Sequence, residues 1–150
     1  MRNVNVFIAG TTKWFLIIFG FATCATLAFA FNIDLFKPMF GGLVDYTPSS
    51  VPALRHWGLM VFGIGVLMVV AAFRPWLRFE TMIFSTFEKA FMVYLFLSNF
   101  GQPWGMGYIG AAAVDGTIVA YSILYFLSDQ GRPERWAVAA SYKSTGLKMR

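Results

Sequence analysis

Three charged residues lie inside long apolar stretches of this 150-residue chain, and their types could support chemistry. Glu88 and Lys89 occupy the middle of one stretch, and Asp115 occupies the middle of another. Two carboxylates beside one ammonium can hold a proton, bind a cation, or lock two helices together. A proton or ion path and a structural lock both stay open, and the lock is favoured because buried pairs can give specificity without chemistry.

The chain contains few other reactive groups. Cys24 is the single cysteine, which excludes an intrachain disulfide and a cysteine-built metal site, and His56 is the single histidine. No phosphate-binding loop, nucleophile elbow, zinc-protease or paired-cysteine motif occurs. We therefore predict no catalytic residue, no metal site and no cofactor, and we expect that a lipid or other lipophilic ligand is the kind of molecule so apolar a chain would bind.

The composition is that of a membrane protein. Hydrophobic residues make up 58% of the chain and charged residues 13%, against roughly 45–50% and about 25% in soluble proteins. Four stretches reach the length of about 20 residues that a membrane-spanning helix needs. They cover about residues 14–33, 54–73, 81–100 and 105–127. We predict an all-α, integral membrane four-helix bundle that forms a single domain, 1–150.

Lysine and arginine placement predicts the orientation, because cytoplasmic loops carry the excess of these residues. Two lie on the predicted outer side, Lys37 and Arg55, and nine lie on the predicted inner side. The nine are Arg2, Lys13, Arg74, Arg78, Arg132, Arg135, Lys143, Lys148 and Arg150. Both termini are therefore expected in the cytoplasm, with a basic tail, 128–150, that begins a short surface helix. The net charge of +5 then indicates anionic lipid headgroups at the cytoplasmic face, not nucleic acid.

The first outer loop, 34–53, is longer than the other connections. Its segment Leu35–Val44 is too short to span a membrane and too apolar for water, which predicts a segment at the outer interface. A lid or partner-docking surface is one interpretation, and a packed loop over the mouth of the bundle is the favoured one. Arg55 and His56 form a polar pair at this mouth.

The depths of the three charges can be compared from the helical rise of about 1.5 Å per residue. Glu88, Lys89 and Asp115 lie within about 3 Å of one plane, and we expect Lys89 and Asp115 to form an ion pair between neighbouring helices. Glu88 points about 100° away from Lys89 around its helix, so it is expected to need a second partner or a proton. Tyr108, Asp115 and Ser122 recur every seven residues, as a polar path would require.

The fourth stretch is also rich in small residues, which allow membrane helices to approach closely. This pattern predicts a packing face toward another span or another subunit. Its members are Gly107, Gly110, Ala111, Ala112 and Gly116.

The segments Arg55-His56-Trp57-Gly58 and Phe87-Glu88-Lys89-Ala90, together with the four-span plan, make the chain resemble small bacterial DoxX-like membrane proteins. The resemblance implies a compact four-helix protein of a bacterial inner membrane and carries over no catalytic residue. The favoured function is a non-enzymatic accessory or structural subunit of a larger membrane complex, or of a homo-oligomer. A proton- or ion-linked carrier that uses Glu88, Lys89 and Asp115 is the alternative. A third hypothesis is a membrane redox or lipophile-modifying enzyme.

Overall fold

The computed structural model describes residues 2–131, whose regular secondary structure is helical and includes no strand. Six α-helices are joined by short 3-10 turns and loops. They are α1 (Arg2–Cys24), α2 (Leu27–Phe31), α3 (Phe36–Met39), α4 (Val51–Phe73), α5 (Arg78–Ser98) and α6 (Ile109–Leu127). The predicted surface helix and basic tail lie outside the described residues, except for the few residues up to Gly131.

The first helix begins at Arg2, twelve residues before the start that the apolar pattern predicts. The early turns of α1 are helical because Ile8 and Thr12 are buried against the bundle, while Val6 and Phe7 are exposed on the other face. After Cys24 the backbone tightens into hydrogen bonds between residues three apart, and α2 continues beyond this break. The Thr26 hydroxyl lies 3.0 Å from the carbonyl oxygens of both Thr23 and Gly58 at the break.

Three helical segments are long and apolar enough to cross a membrane, namely Arg2–Phe31, Val51–Phe73 and Gly105–Leu127. Helix α5 is not among them. Its 21 residues are about 31 Å long by the helical rise, which is long enough to cross a membrane. Its charged residues distinguish it from the three apolar segments. Arg78 and Glu80 lie in its first turn, and Glu88 and Lys89 in its middle.

The four long helices form a ring in which each contacts two neighbours. Helix α1 packs extensively on α4, α5 packs on α6, and smaller contacts join α4 to α5 and α1 to α6. One end of the ring, here called the terminal end, carries residue 2, the link 74–77 and residues 129–131. The opposite loop end carries residues 32–50 and the turn 99–104.

The half of the bundle next to the terminal end is a packed core of ten buried side chains. They are Ile8, Phe15, Leu16, Met68, Ala71, Ala72, Met82, Ile118, Tyr121 and Tyr125. Polar contacts close this end. The Asn5 side chain donates to Asp129 Oδ2 at 2.7 Å, and the Arg78 guanidinium donates to the last carbonyl oxygens of α4, on Ala71 and Ala72.

The loop end is covered by a second apolar cluster that the first loop supplies. Phe36, Phe40 and Val44 are buried there against Phe29, with Trp57 of α4 packed on them. Gly41 and Gly42 follow α3 with φ of 65° and 74°, a conformation that favours glycine and turns the chain back over the bundle. Residues 35–44 therefore form the packed cover, in which Phe36, Phe40 and Val44 are buried while Leu35, Met39 and Leu43 are exposed.

The closest approach of two helices occurs between α1 and α4. A Cβ on Gly65 would lie 2.7 Å from the Gly20 carbonyl oxygen and 2.8 Å from Cys24 Sγ. A Cβ on Gly58 would lie 2.6 Å from the Phe29 ring. Only glycine allows this spacing.

The small residues of the fourth stretch serve other contacts. Gly107 packs tightly against Phe40 and Val44 of the covering loop, which is not a spanning helix. Gly110 has open space around it, and a Cβ on Gly116 would make only one ordinary contact, with Val93. Ala112 is buried, and Ala111 packs on the loop-end cluster. The expected packing face is therefore divided between the covering loop and α5.

Candidate functional site: a buried charge cluster beside two cavities

Glu88, Lys89 and Asp115, here called the charge cluster, meet between α5 and α6. Lys89 Nζ lies 3.3 Å from Asp115 Oδ1, so the expected ion pair is present. Lys89 is 3% exposed and Asp115 is 6% exposed. Antiparallel packing of α5 on α6 brings the two residues together because each lies near the middle of its helix.

Glu88 differs from the sequence prediction. Its Oε2 lies 2.9 Å from Lys89 Nζ, so Lys89 is the partner of both carboxylates, and the cluster keeps a formal charge of −1. Both side chains are long enough to turn toward one another across the 100° between successive helical positions. The contact is an ion pair that is not aligned as a hydrogen bond. A quarter of the Glu88 side chain remains exposed.

A cavity of about 540 Å³, here called the larger cavity, lies in the loop half between α4 and α5. Glu88 lines it together with aromatic and aliphatic side chains, including Trp57, Phe91, Leu95 and Tyr108. Phe91 is 60% exposed and Leu95 is 39% exposed, so the α5 wall of the cavity borders the outside of the bundle. Its size falls within the range of roughly 300–1,000 Å³ typical of small-molecule sites.

A cavity of about 260 Å³, here called the smaller cavity, lies inside the ring of helices. All three residues of the charge cluster line it, and it shares Glu88, Trp57 and Met92 with the larger cavity. The Thr23 hydroxyl also lines it, and this buried oxygen has no hydrogen-bond partner among the described residues. A polar group inside the smaller cavity would satisfy it.

Ionic and hydrogen-bond contacts join parts of the covering loop to one another. Lys37 Nζ lies 3.2 Å from Asp45 Oδ2, and the Tyr46 hydroxyl donates to Asp34 Oδ1. The Tyr46 backbone N–H, and after it Lys37, lower the pKa of Asp45, while the bond to Asp34 raises the pKa of Tyr46. Because the Asp45 pKa is lowered on folding, its contribution is present above the ordinary pKa and is lost as the pH falls through the lowered value.

The other candidate residues lie away from the cluster. Arg55 and His56 are exposed on α4 and are not among the residues that line either cavity. Cys24 faces α4, with Sγ 3.9 Å from the Phe62 carbonyl oxygen. Ser122 is buried in the terminal half, and its hydroxyl donates to the Ile118 carbonyl of its own helix. The stripe of Tyr108, Asp115 and Ser122 is therefore not a continuous row of polar groups along the bundle.

The larger cavity is apolar apart from a few polar groups, and Glu88 of the charge cluster forms part of its wall. The groups that sequence reasoning missed are the cavity-lining aromatics Phe36, Trp57, Phe91 and Trp104, while Tyr108, which was expected on a polar path, lines the same cavity. The composition shows that aromatic residues are numerous. It does not show that these particular side chains meet in one cavity, because that depends on how the helices pack. No group of metal-ligating side chains occurs within residues 2–131. Such a site is suited to holding an amphipathic molecule.

Comparison with family models, with curated proteins and with solved structures finds no match to this chain. The resemblance to DoxX-like proteins therefore stays a prediction.

Proposed function

We propose that this protein binds a lipophilic ligand in the loop half of its helical bundle and acts without catalysis, within a membrane. The observation that carries the proposal is the larger cavity, which is lined mainly by aromatic and aliphatic side chains, including Phe91 and Leu95 of α5, which are exposed on the outside of the bundle. In this proposal, a ligand dissolved in the bilayer enters past these two side chains. As an accessory subunit of a larger membrane complex, or in a homo-oligomer, the protein would contribute this bound lipophile.

The packing of the two halves favours a binding site over a carrier. The charge cluster borders cavities that extend toward the loop end, whereas the terminal half beyond it is filled by the ten core side chains. An ion or proton that reached the cluster would meet Met82, Ile118 and Tyr121 on the far side. Transport would require this core to open, and binding does not.

The proposal also includes an orientation. In the proposed bacterial inner membrane, the lysine and arginine count supports a terminal end in the cytoplasm and a loop end outside. The larger cavity then opens toward the outer leaflet.

A matched pair of substitutions on α5 tests the proposal. Leu95 lines the larger cavity, whereas Leu97 is 64% exposed and does not. Leu95→Trp should fill the cavity and weaken binding of a neutral phenylalkane probe about tenfold or more, roughly 1.4 kcal/mol. Leu97→Trp adds the same volume outside the cavity and should leave binding unchanged. The measurement is scintillation proximity with a tritiated probe, on protein in nanodiscs, after subtraction of empty nanodiscs.

Two outcomes would contradict the proposal. One is no binding of the unmodified protein above the empty nanodiscs. The other is equal binding by the Leu95→Trp and Leu97→Trp proteins, because the probe would then occupy a place other than the larger cavity.

A further inference from the structure

We infer that the ligand of the larger cavity is a lipophilic cation, that is, an ammonium group attached to an apolar body. The inference rests on the proposed function and names its ligand class. Its first support is the charge balance of the cluster. Two carboxylates share the single ammonium of Lys89, which leaves a formal charge of −1. Among the described residues that line the two cavities, Lys89 is the one basic residue.

The surplus charge is presented to the larger cavity at Glu88. Asp115 is nearly buried and lines only the smaller cavity, whereas a quarter of the Glu88 side chain is exposed, and Glu88 lines both. An uncompensated carboxylate in an apolar setting is costly unless a proton or a cation balances it. A ligand that carries a positive charge would supply this balance.

The lining of the cavity favours an organic cation over a proton. Trp57, Phe91, Trp104 and Tyr108 line the same cavity as Glu88. The faces of aromatic rings attract ammonium groups, and cages of such rings are the usual recognition site for quaternary ammonium. The same rings also pack against the apolar body of the ligand, so one pocket serves both ends of the molecule.

The position of Glu88 adds a restriction on shape. The residue is ten positions from either end of α5, about 15 Å along the helix from each. A cation bound there must be carried deep into the bundle on a compact apolar body. The same ammonium chemistry also occurs in choline lipid headgroups, which normally remain at the membrane surface. The two sources can be separated by the choice of lipid.

The test compares two isosteric probes on the unmodified protein in nanodiscs. One is a phenylalkyl trimethylammonium, and the other is its neutral analogue with carbon in place of nitrogen. We expect the cation to bind about tenfold or more tightly than the neutral probe, after subtraction of empty nanodiscs. Glu88→Gln should reduce the ratio of the two affinities to about one. Glu80→Gln, which removes an exposed carboxylate from the same helix, should keep the ratio of the unmodified protein.

The outcomes separate the two proposals. Equal affinity of the unmodified protein for both probes would overturn the cation inference and leave the lipophile site standing. Binding of neither probe would overturn both. A preference for the cation that survives Glu88→Gln would also contradict the inference, because the counter-charge would then lie elsewhere.

A last arm identifies the source of the cation. The measurement is repeated in two nanodisc types with the same fraction of phosphatidylglycerol, filled with phosphatidylcholine in one and digalactosyl lipid in the other. Weaker probe binding in phosphatidylcholine supports the ammonium site and shows that the headgroup competes for it. Equal probe binding supports a site for free lipophilic cations.

Discussion

At the residue scale, the loss of Lys89 should destabilise the protein more than the loss of Asp115. Its ammonium lies 2.9 Å from Glu88 Oε2 and 3.3 Å from Asp115 Oδ1, so its removal leaves two carboxylates together without a counter-charge. Removal of Asp115 still leaves Lys89 paired with Glu88. Breaking a buried pair is costly chiefly because of the charge that stays behind, so the two substitutions should not be equivalent.

We expect Lys89→Met to lower the free energy of unfolding by about 3–5 kcal/mol, the range for a stranded buried charge. Asp115→Asn should lower it by about 1–3 kcal/mol, because an ion pair remains and one hydrogen-bonding group is displaced. The measurement is unfolding of the purified protein in mixed micelles by titration with denaturing detergent. Glu80→Gln, at an exposed position, serves as the control and should stay within about 0.5 kcal/mol of the unmodified protein. Equal losses for Lys89→Met and Asp115→Asn would contradict the shared role of Lys89.

The charge cluster was the part of the site that the sequence allowed us to predict. Charges inside apolar stretches are rare and expensive, so their positions along two neighbouring helices indicate a pair. The double pairing of Lys89 was not predictable from helical angles, because the flexible side chains of Glu88 and Lys89 span the 100° between them. The cavities were hidden as well, since they depend on how far α4 and α5 separate.

At the scale of helices, the contact of α1 with α4 depends on glycines that are seven residues apart on α4. Gly58 and Gly65 both face the first helix, where Gly20, Cys24 and the break at Thr26 come close. Small residues let two backbones gain dispersion contacts that lipid cannot replace. The long contact between these helices holds one wall of the bundle rigid beside the smaller cavity.

A pair of glycine substitutions on α4 tests this contact. Gly65→Ala places a Cβ within 3 Å of the α1 backbone and of Cys24 Sγ, and we expect a loss of about 1–3 kcal/mol in the free energy of unfolding. Gly63→Ala has nothing within 4 Å of the new Cβ and should be neutral or stabilising by up to about 1 kcal/mol. Both are measured by the same detergent titration. Equal stability of the two variants would show that α1 and α4 do not depend on this close approach.

The helices themselves were largely predictable from apolar runs, and their ends less so. The predicted start of the second stretch at residue 54 differs from Val51 by three residues, and both end at Phe73. Helix α1 begins twelve residues before the predicted span, because the helix also includes the first turns, which pack at Ile8 and Thr12. The small residues of α6 were assigned to helix packing because composition does not say that Gly107 meets a loop.

At the scale of the whole molecule, the bundle is filled at one end and hollow at the other. Aromatic residues form most of the loop-end cover, and the cavities lie between this cover and the charge cluster. In the proposed function, a ligand enters this hollow half from the bilayer, past Phe91 and Leu95. This route depends on α5 crossing the membrane beside α4. Among the four long helices, α5 is the one that is not apolar enough to be a candidate membrane span.

Site-directed labelling tests whether α5 crosses. Glu80 and Gln102 are exposed at the two ends of this helix, so Glu80→Cys and Gln102→Cys report on opposite sides, in a Cys24→Ser background. We expect an impermeant maleimide added to intact cells to label Gln102→Cys only, and Glu80→Cys to react after the membrane is opened. Helix α5 is about 31 Å long, which is enough to cross the hydrocarbon core. Its two central charges are paired, Glu88 with Lys89 and Lys89 with Asp115 of α6, which lowers the free-energy cost of placing them in the membrane. Labelling of both positions from the same side would show that α5 lies on the membrane surface, and the lateral cavity would then face water instead of lipid.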